Sequence, residues 1–373
     1  MDMKRMLTLM LGFAALAATT ADARELRIAP GAPPAHPSHS HLYAKLAEIL
    51  PEVSDGNLTA QILGPEVVGL GQMKDGLQSQ LVEVGNLLPL YFPADLPNMS
   101  LAGELALSGR EPHAMAAAMT EYMVTCDTCQ QELKKFGVTY LGSGSSDVYA
   151  LLTTKPVRTA EDVRGLRLRS GGAPFSRWAE HFGAVPASIG VGETFESMSQ
   201  GVIDGSMASI GDLLSFRLVE LVKSVTFVPL GTYHATSDFT VADSAWQSLS
   251  PEERKQLATA ANRANVIFTQ RWGYDMAAEA KAAAEKAGIE FIEPDPAFVQ
   301  AAEAFAEADK ETAAKVSQER FGFADAAERV ARFSELVAKW DGIVKEAGND
   351  PDAIAARLDE EVWSKVDFGT YGL

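Results

Sequence analysis

From residue 25 to residue 241 the chain alternates short strand-like runs with amphipathic helix-like runs, in two successive series. The first series has strand-like runs at 25–29, 58–63 and 82–90, with helical patterning at 42–50 and 73–81 between them. Strand-like runs at 138–141 and 148–153 are separated by a loop at 142–147 rich in Gly and Ser, and the second series continues through strands at 165–169, 185–189 and 202–208, with helices at 173–182 and 193–200. Alternation of this kind builds parallel sheets covered by helices. A length of 373 residues suits about two such units. From Pro251 onward the pattern is almost wholly helical, broken by a short strand at 289–292. No period of 20–50 residues recurs, which excludes a solenoid. The fold class expected is therefore α/β, with two lobes, largely parallel sheets and a helical C-terminal segment. In such sheets ligands bind beyond the carboxyl ends of the strands, which selects the loops after Ile28, Leu63, Leu88, Val148 and Leu168.

Lys4 and Arg5 precede an apolar run at 6–18, and Ala21-Asp22-Ala23 forms a small-residue cleavage signal. Residues 1–23 thus read as a secretory signal peptide, too short in their apolar part to span a bilayer. No later run holds 18 consecutive apolar residues, so no direct membrane insertion is expected and the periplasm is the expected location. The 32 Lys and Arg against 50 Asp and Glu give a net charge of −18, which repels a phosphate backbone and removes nucleic acid from the list of partners. A small anion remains admissible, because one positioned Arg outweighs a diffuse, screened field. The two cysteines, Cys126 and Cys129, lie three residues apart. In an oxidising compartment they default to a disulfide. Their position within helical patterning at 113–136 argues against a redox motif, which needs a strand-to-helix setting.

Catalytic signatures are absent: there is no nucleophile elbow, Walker A, zincin helix or dinucleotide fingerprint. No cofactor is expected. His36, His39 and His41 share one loop and form the alternative, a periplasmic metal-binding site. As a ligand contact instead, His39 offers a hydrogen bond from the same loop. Arg169 ends a strand and precedes Ser170-Gly171-Gly172, so its guanidinium can project into a cleft where backbone approaches closely. Arginine matches a carboxylate with two parallel donors. Phe175 and Trp178, close by, suit either helix core or cleft wall.

The run KPVRTAEDVRGLRLR at 155–169, followed by FGAVP at 182–186, ETFE at 193–196 and QGVIDG at 200–205, resembles the solute-binding proteins of TRAP transporters, the DctP-like family. LG at 63–64, VEVG at 82–85, YFP at 91–93 and WQSLSPEER at 246–254 extend the resemblance over nearly the whole chain after residue 23. It implies a two-lobe periplasmic binding protein fold with a ligand cleft between the lobes, and a protein that is not an enzyme. Its partners would be a small carboxylate ligand and the subunits of a TRAP-type, ion-coupled membrane permease. It implies a first lobe of 24–147 with about 233–275, a second of 148–232 with about 276–345, and a C-terminal tail of 346–373. The family's carboxylate-clamping arginine falls on Arg169, and Glu66 follows the matched LG pair at a polar contact position. Tyr149 stands where a second arginine is frequent. Ala208, flanked by Ser206 and Ser209, replaces a frequent asparagine. With Tyr91, Phe175 and His39 these residues make up the expected ligand site. One arginine with Tyr and Ser partners suits a monocarboxylate, or a keto or hydroxy acid with an apolar or aromatic body, better than a sugar acid or dicarboxylate.

Overall fold

A computed structural model describes residues 23–373, so the signal-peptide reading lies almost wholly outside the described residues. Eleven strands are found among them: β1 (Arg24–Ala29), β2 (Leu58–Ile62), β3 (Val84–Leu87), β4 (Val138–Tyr140), β5 (Ala150–Thr153), β6 (Arg167–Ser170), β7 (Val185–Ser188), β8 (Gly205–Ala208), β9 (Ser224–Thr226), β10 (Ser237–Ala242) and β11 (Glu290–Ile292). They form two sheets, ordered β2-β1-β3-β10-β4 and β11-β9-β5-β8-β6-β7. The two lobes expected from the sequence are built on these sheets.

The sheets are mixed rather than parallel, and the exceptions have a common cause. β10 runs antiparallel to β3 and β4, and β5 runs antiparallel to β8 and β9. These are the first strands laid down after each of the two loop crossings between sheets. A strand fed by a linker rather than by a covering helix is free to enter in the opposite sense. The two linkers also pair with each other. Val148 bridges Thr232, the Tyr149 N–H donates to the Gly231 carbonyl at 2.8 Å, and the Ser146 N–H donates to the Tyr233 carbonyl at 3.1 Å. A two-stranded strap thus joins the lobes at the floor of the cleft.

Local sequence explains most boundaries. Thr159 and Asp162 form a capping box, and Ser250 with Glu253 forms another at the start of helix Pro251–Gln270. Along β5 the side chains alternate in direction. Leu151 enters the larger core, whereas Ala150 and Leu152 enter a smaller one with Ala208, Val225 and Ala280. The continuous helix expected over 113–136 is divided into Pro112–Val124 and Asp127–Phe136. Cys126 sits between them with extended backbone and is disulfide-bonded to Cys129. Replacing both cysteines by serine is expected to leave ligand affinity unchanged. The closed loop is so short that stability should fall by about 2 kcal/mol or less, which calorimetry and melting curves check.

The sequence-based lobe limits are retained as a proposal, with amendments at the C-terminal end. Helix Ala326–Glu346 was counted with the second lobe, but it packs along Pro112–Val124 of the first. There Glu121 accepts from Lys339 Nζ at 2.9 Å and from Trp340 Nε1 at 2.7 Å. Residues 346–373 form no loose tail. Helix Pro351–Glu361 lies on Pro251–Gln270, and Tyr371 donates its hydroxyl to the Tyr140 carbonyl at 2.8 Å.

Candidate ligand-binding site

Arg169 is the third residue of β6, and its side chain is 1% exposed. Its Nε donates to the Ile189 carbonyl at 3.1 Å and its Nη2 to the Tyr91 hydroxyl at 2.9 Å. Among the described residues no carboxylate lies within ion-pair distance of it, although every other strongly buried arginine is either paired or bound to several carbonyls. A buried guanidinium held without a counter-ion is poised to receive one. Gly171 and Gly172 make the geometry possible. A Cβ on Gly171 would stand 3.2 Å from Arg169 Nη1, and one on Gly172 would stand 2.8 Å from Leu90 of the first lobe.

The guanidinium faces a cavity enclosed by both lobes. Its walls include His36, Asn86, Tyr91, Thr236, Asp238, Phe268 and Trp272 from the first lobe, Tyr149, Asp212 and Phe216 from the second, and Tyr233 from the strap. The cavity has about 40 Å³ of free space, a few times what one water needs. The space suits a compact ligand. One wall is formed by the near-parallel rings of Tyr149 and Tyr233, 6.0 Å apart, with Phe175 packed against both from behind at 5.3 and 6.4 Å. The other wall joins Phe268 and Trp272, stacked at 5.1 Å, with His36 and Phe216 beside them. Two π-helical turns, Ser38–Tyr43 and Arg271–Asp275, deliver Ser38 and Trp272 to this wall. Such wide turns often mark functional sites, because the extra residue redirects a side chain.

Burial dominates the electrostatics. It lifts the Asp212 carboxyl to about 8, against the pull of Arg169 and with repulsion from Asp147 adding to the rise. It lifts Asp238 to about 7 and lowers His36 to about 3. The His36 Nδ1 accepts from the Ser38 N–H at 3.1 Å, which places the ring proton on Nε2.

Tyr91 ties the lobes across the mouth. Its hydroxyl accepts from Arg169 Nη2 and, at 3.1 Å, from the Val191 N–H, both of the second lobe. On its other side Tyr91 lines a second, more open pocket of about 600 Å³, with Leu90, Ser170 and Arg177. Tyr91→Phe removes the shared acceptor. The expected result is a loss of about 1 kcal/mol in affinity, roughly fivefold, expressed as faster dissociation in stopped-flow traces.

Of the residues expected from sequence, Arg169, Tyr149 and Tyr91 line the cavity together. Phe175 is completely buried behind Tyr149 rather than lining the space. Ser209 is buried but does not line the cavity, its Oγ accepting from the Gly211 N–H at 3.0 Å. Glu66 is exposed and folds back over Gly64, because its loop turns outward after β2. His39 is half-buried outside the cavity. The metal alternative is not favoured: His36 precedes the π-helical turn and only His39 and His41 lie in it. His36 faces the aromatic rings and His41 Nδ1 pairs with the Ser40 hydroxyl at 2.8 Å. Among the described residues no group of three or more His, Cys, Asp or Glu is placed to hold a metal. Asp212 and Asp238 were not anticipated, although an acid inside the strand run SDFTVA is a visible anomaly.

The family model for bacterial extracellular solute-binding proteins, family 7 (DctP), matches residues 28–317. The chain belongs to this family. A solute-binding protein of Roseobacter denitrificans is 27% identical over 298 residues, 78% of this chain and 88% of the relative. Among solved structures, a marine metagenome TRAP solute-binding protein specific for aromatic acid ligands, in complex with 3-hydroxybenzoate, superposes with a TM-score of 0.77 at 22% identity, covering 86% of this chain and 99% of the other. A TRAP solute-binding protein of Rhodoferax ferrireducens, in complex with copurified benzoate, gives 0.77 at 18% identity, covering 86% and 100%. One from Bordetella bronchiseptica, with bound mandelate, gives 0.72 at 22%, covering 85% and 99%. At these identities the likeness establishes the two-lobe fold.

Proposed function

We propose that this family 7 solute-binding protein is a periplasmic receptor that captures a compact aromatic monocarboxylate and delivers it to a TRAP-type permease. The observation that carries the reading is the buried, counter-ion-free Arg169 in a small cavity whose two walls are aromatic. A carboxylate completes the guanidinium, and a planar ring fills the slot between Tyr149 and Tyr233 on one side and Phe216, Phe268 and Trp272 on the other. The ligands of the three structural neighbours, 3-hydroxybenzoate, benzoate and mandelate, are each one ring with one carboxylate. Residues 1–23 act as the export signal in this reading, and the receptor binds and releases its ligand without breaking a bond.

Calorimetry with benzoate, 3-hydroxybenzoate and mandelate, set against succinate and galacturonate, tests the assignment. Aromatic acids should bind at micromolar dissociation constants or tighter, and the other two should not bind. Binding confined to succinate or galacturonate would overturn it. Native mass spectrometry of protein purified without denaturation gives an independent check, since slowly released ligands are carried through.

A further inference from the structure

We propose that the ligand carries a hydroxyl group away from its carboxylate, and that Asp238 accepts the hydrogen bond this hydroxyl donates while the Trp272 Nε1–H donates to its oxygen. The inference rests on the aromatic monocarboxylate reading and deepens it by assigning a second recognition point.

Asp238 is fully buried in β10, in the first lobe, and lines the cavity. Neither of its carboxyl oxygens has a hydrogen bond of good geometry, although the Thr236 hydroxyl and the Gly144 N–H stand close enough to favour its charged form slightly. The nearest donors are already engaged: the Gly144 N–H donates to Thr236 Oγ1 at 3.2 Å, and that hydroxyl donates to the Gly144 carbonyl at 3.3 Å. Trp272 Nε1, on the same wall, is likewise buried without an acceptor. Phe268 connects the two. A Cβ on Gly144 would touch Phe268 at 2.5 Å and Asp238 Oδ2 at 2.7 Å, and Phe268 stacks on Trp272. Buried polar groups in native proteins are nearly always satisfied, so these orphans, with Asn86 Oδ1, Asp212 Oδ1 and the Tyr233 hydroxyl also unpartnered in the same cavity, call for a ligand that brings polar groups of its own beside its carboxylate. A hydroxyl donates once and accepts, and so answers both Asp238 and Trp272; an ammonium only donates and leaves the indole unpaired.

Asp238 and Arg169 address different parts of the ligand. Arg169 belongs to β6 of the second lobe, held by the Ile189 carbonyl and the Tyr91 hydroxyl, whereas Asp238 belongs to β10 of the first lobe, on the other side of the cavity's lobe boundary. One group of the ligand meets each.

The test is calorimetry at pH 7.5 on wild-type protein freed of ligand, with benzoate, its three monohydroxy isomers, and the methyl ether of whichever isomer binds best. The best hydroxybenzoate should bind at least about tenfold tighter than benzoate, and its methyl ether, which cannot donate, should lose that gain. In Asp238→Ala the ratio of hydroxybenzoate to benzoate affinity should fall to within about threefold of one. Trp272→Phe keeps an aromatic ring, removes only the donor, and should lower the same ratio several-fold even if Asp238→Ala does not fold. Benzoate binding as tightly as every hydroxy isomer, or a ratio unchanged in both variants, overturns the assignment while leaving the aromatic-acid reading intact. If no aromatic acid binds but another carboxylate does, the underlying reading fails, and this inference with it.

Discussion

Replacing Arg169 by alanine is expected to weaken ligand binding by roughly 30- to 5,000-fold, a loss of about 2–5 kcal/mol. The size follows from what is left behind. In the closed cleft the ligand carboxylate has lost its water, and without the guanidinium it has neither solvent nor a counter-charge. Lysine keeps the charge but cannot at once donate to the Ile189 carbonyl, hold the Tyr91 hydroxyl and present two parallel donors to a carboxylate. Affinity should therefore fall substantially in Arg169→Lys as well. Tyr149→Phe removes at most one neutral hydrogen bond, on the order of 1 kcal/mol. Calorimetry ranks the three, and unliganded melting curves separate loss of binding from loss of fold. Wild-type affinity in Arg169→Ala would end the carboxylate-clamp reading.

Much of this framework is written locally in the sequence. Strand β1, the Met73 helix start, the Thr159 and Ser250 caps and the Gly171-Gly172 approach are each settled by a few adjacent residues. Arg169 stood out for the same reason, since a strand-end arginine before two glycines is a short-range pattern. The cavity wall opposite it is a different matter. His36, Phe216, Tyr233, Asp238, Phe268 and Trp272 come from distant segments, and only the crossing of the chain between lobes brings them together. Trp272 in particular depends on a π-helical turn inside what reads as one Ala-rich helix, and hydrophobic periodicity carries no mark of that extra residue. Glu66 illustrates the opposite failure. Its position follows from a matched motif, but the direction of a loop side chain is set by tertiary contacts, and here the loop turns to solvent. Mixed strand direction was hidden for a similar reason: alternation of elements fixes their order but not the sense in which β5 and β10 re-enter after crossing.

The same crossing creates an ion cluster whose removal should be the most damaging change to stability outside the hydrophobic core. Arg177, on the helix that follows β6, donates from Nη1 to Glu104 at 2.6 Å and from Nε and Nη2 to the two oxygens of Asp309 at 2.7 Å each. Glu104 belongs to the first lobe and Asp309 to the long helix Pro296–Phe321, so one guanidinium joins three bodies behind the site. The carboxylates are 7% and 4% exposed. Arg177→Ala strands both, and breaking a buried pair in this way costs about 3–5 kcal/mol. The pH dependence has a definite sign. Burial already raises the Glu104 carboxyl above its ordinary value, with Arg177 pulling it back down and Asp309 pushing it up. Without Arg177 only the raising influences of these remain, so the folded state of the variant holds a proton more tightly than the unfolded chain does. Stability is then lost as pH rises from the unfolded carboxyl value through the raised folded one. The deficit of Arg177→Ala should accordingly be smaller near pH 5 than near pH 8. Denaturant unfolding at the two pH values measures it, and a triple replacement by Met at 177 and Leu at 104 and 309 should recover most of the loss, because it leaves no buried charge unpaired. An equal deficit at both pH values would mean that the cluster is open to water in solution and that the lobes are not joined there.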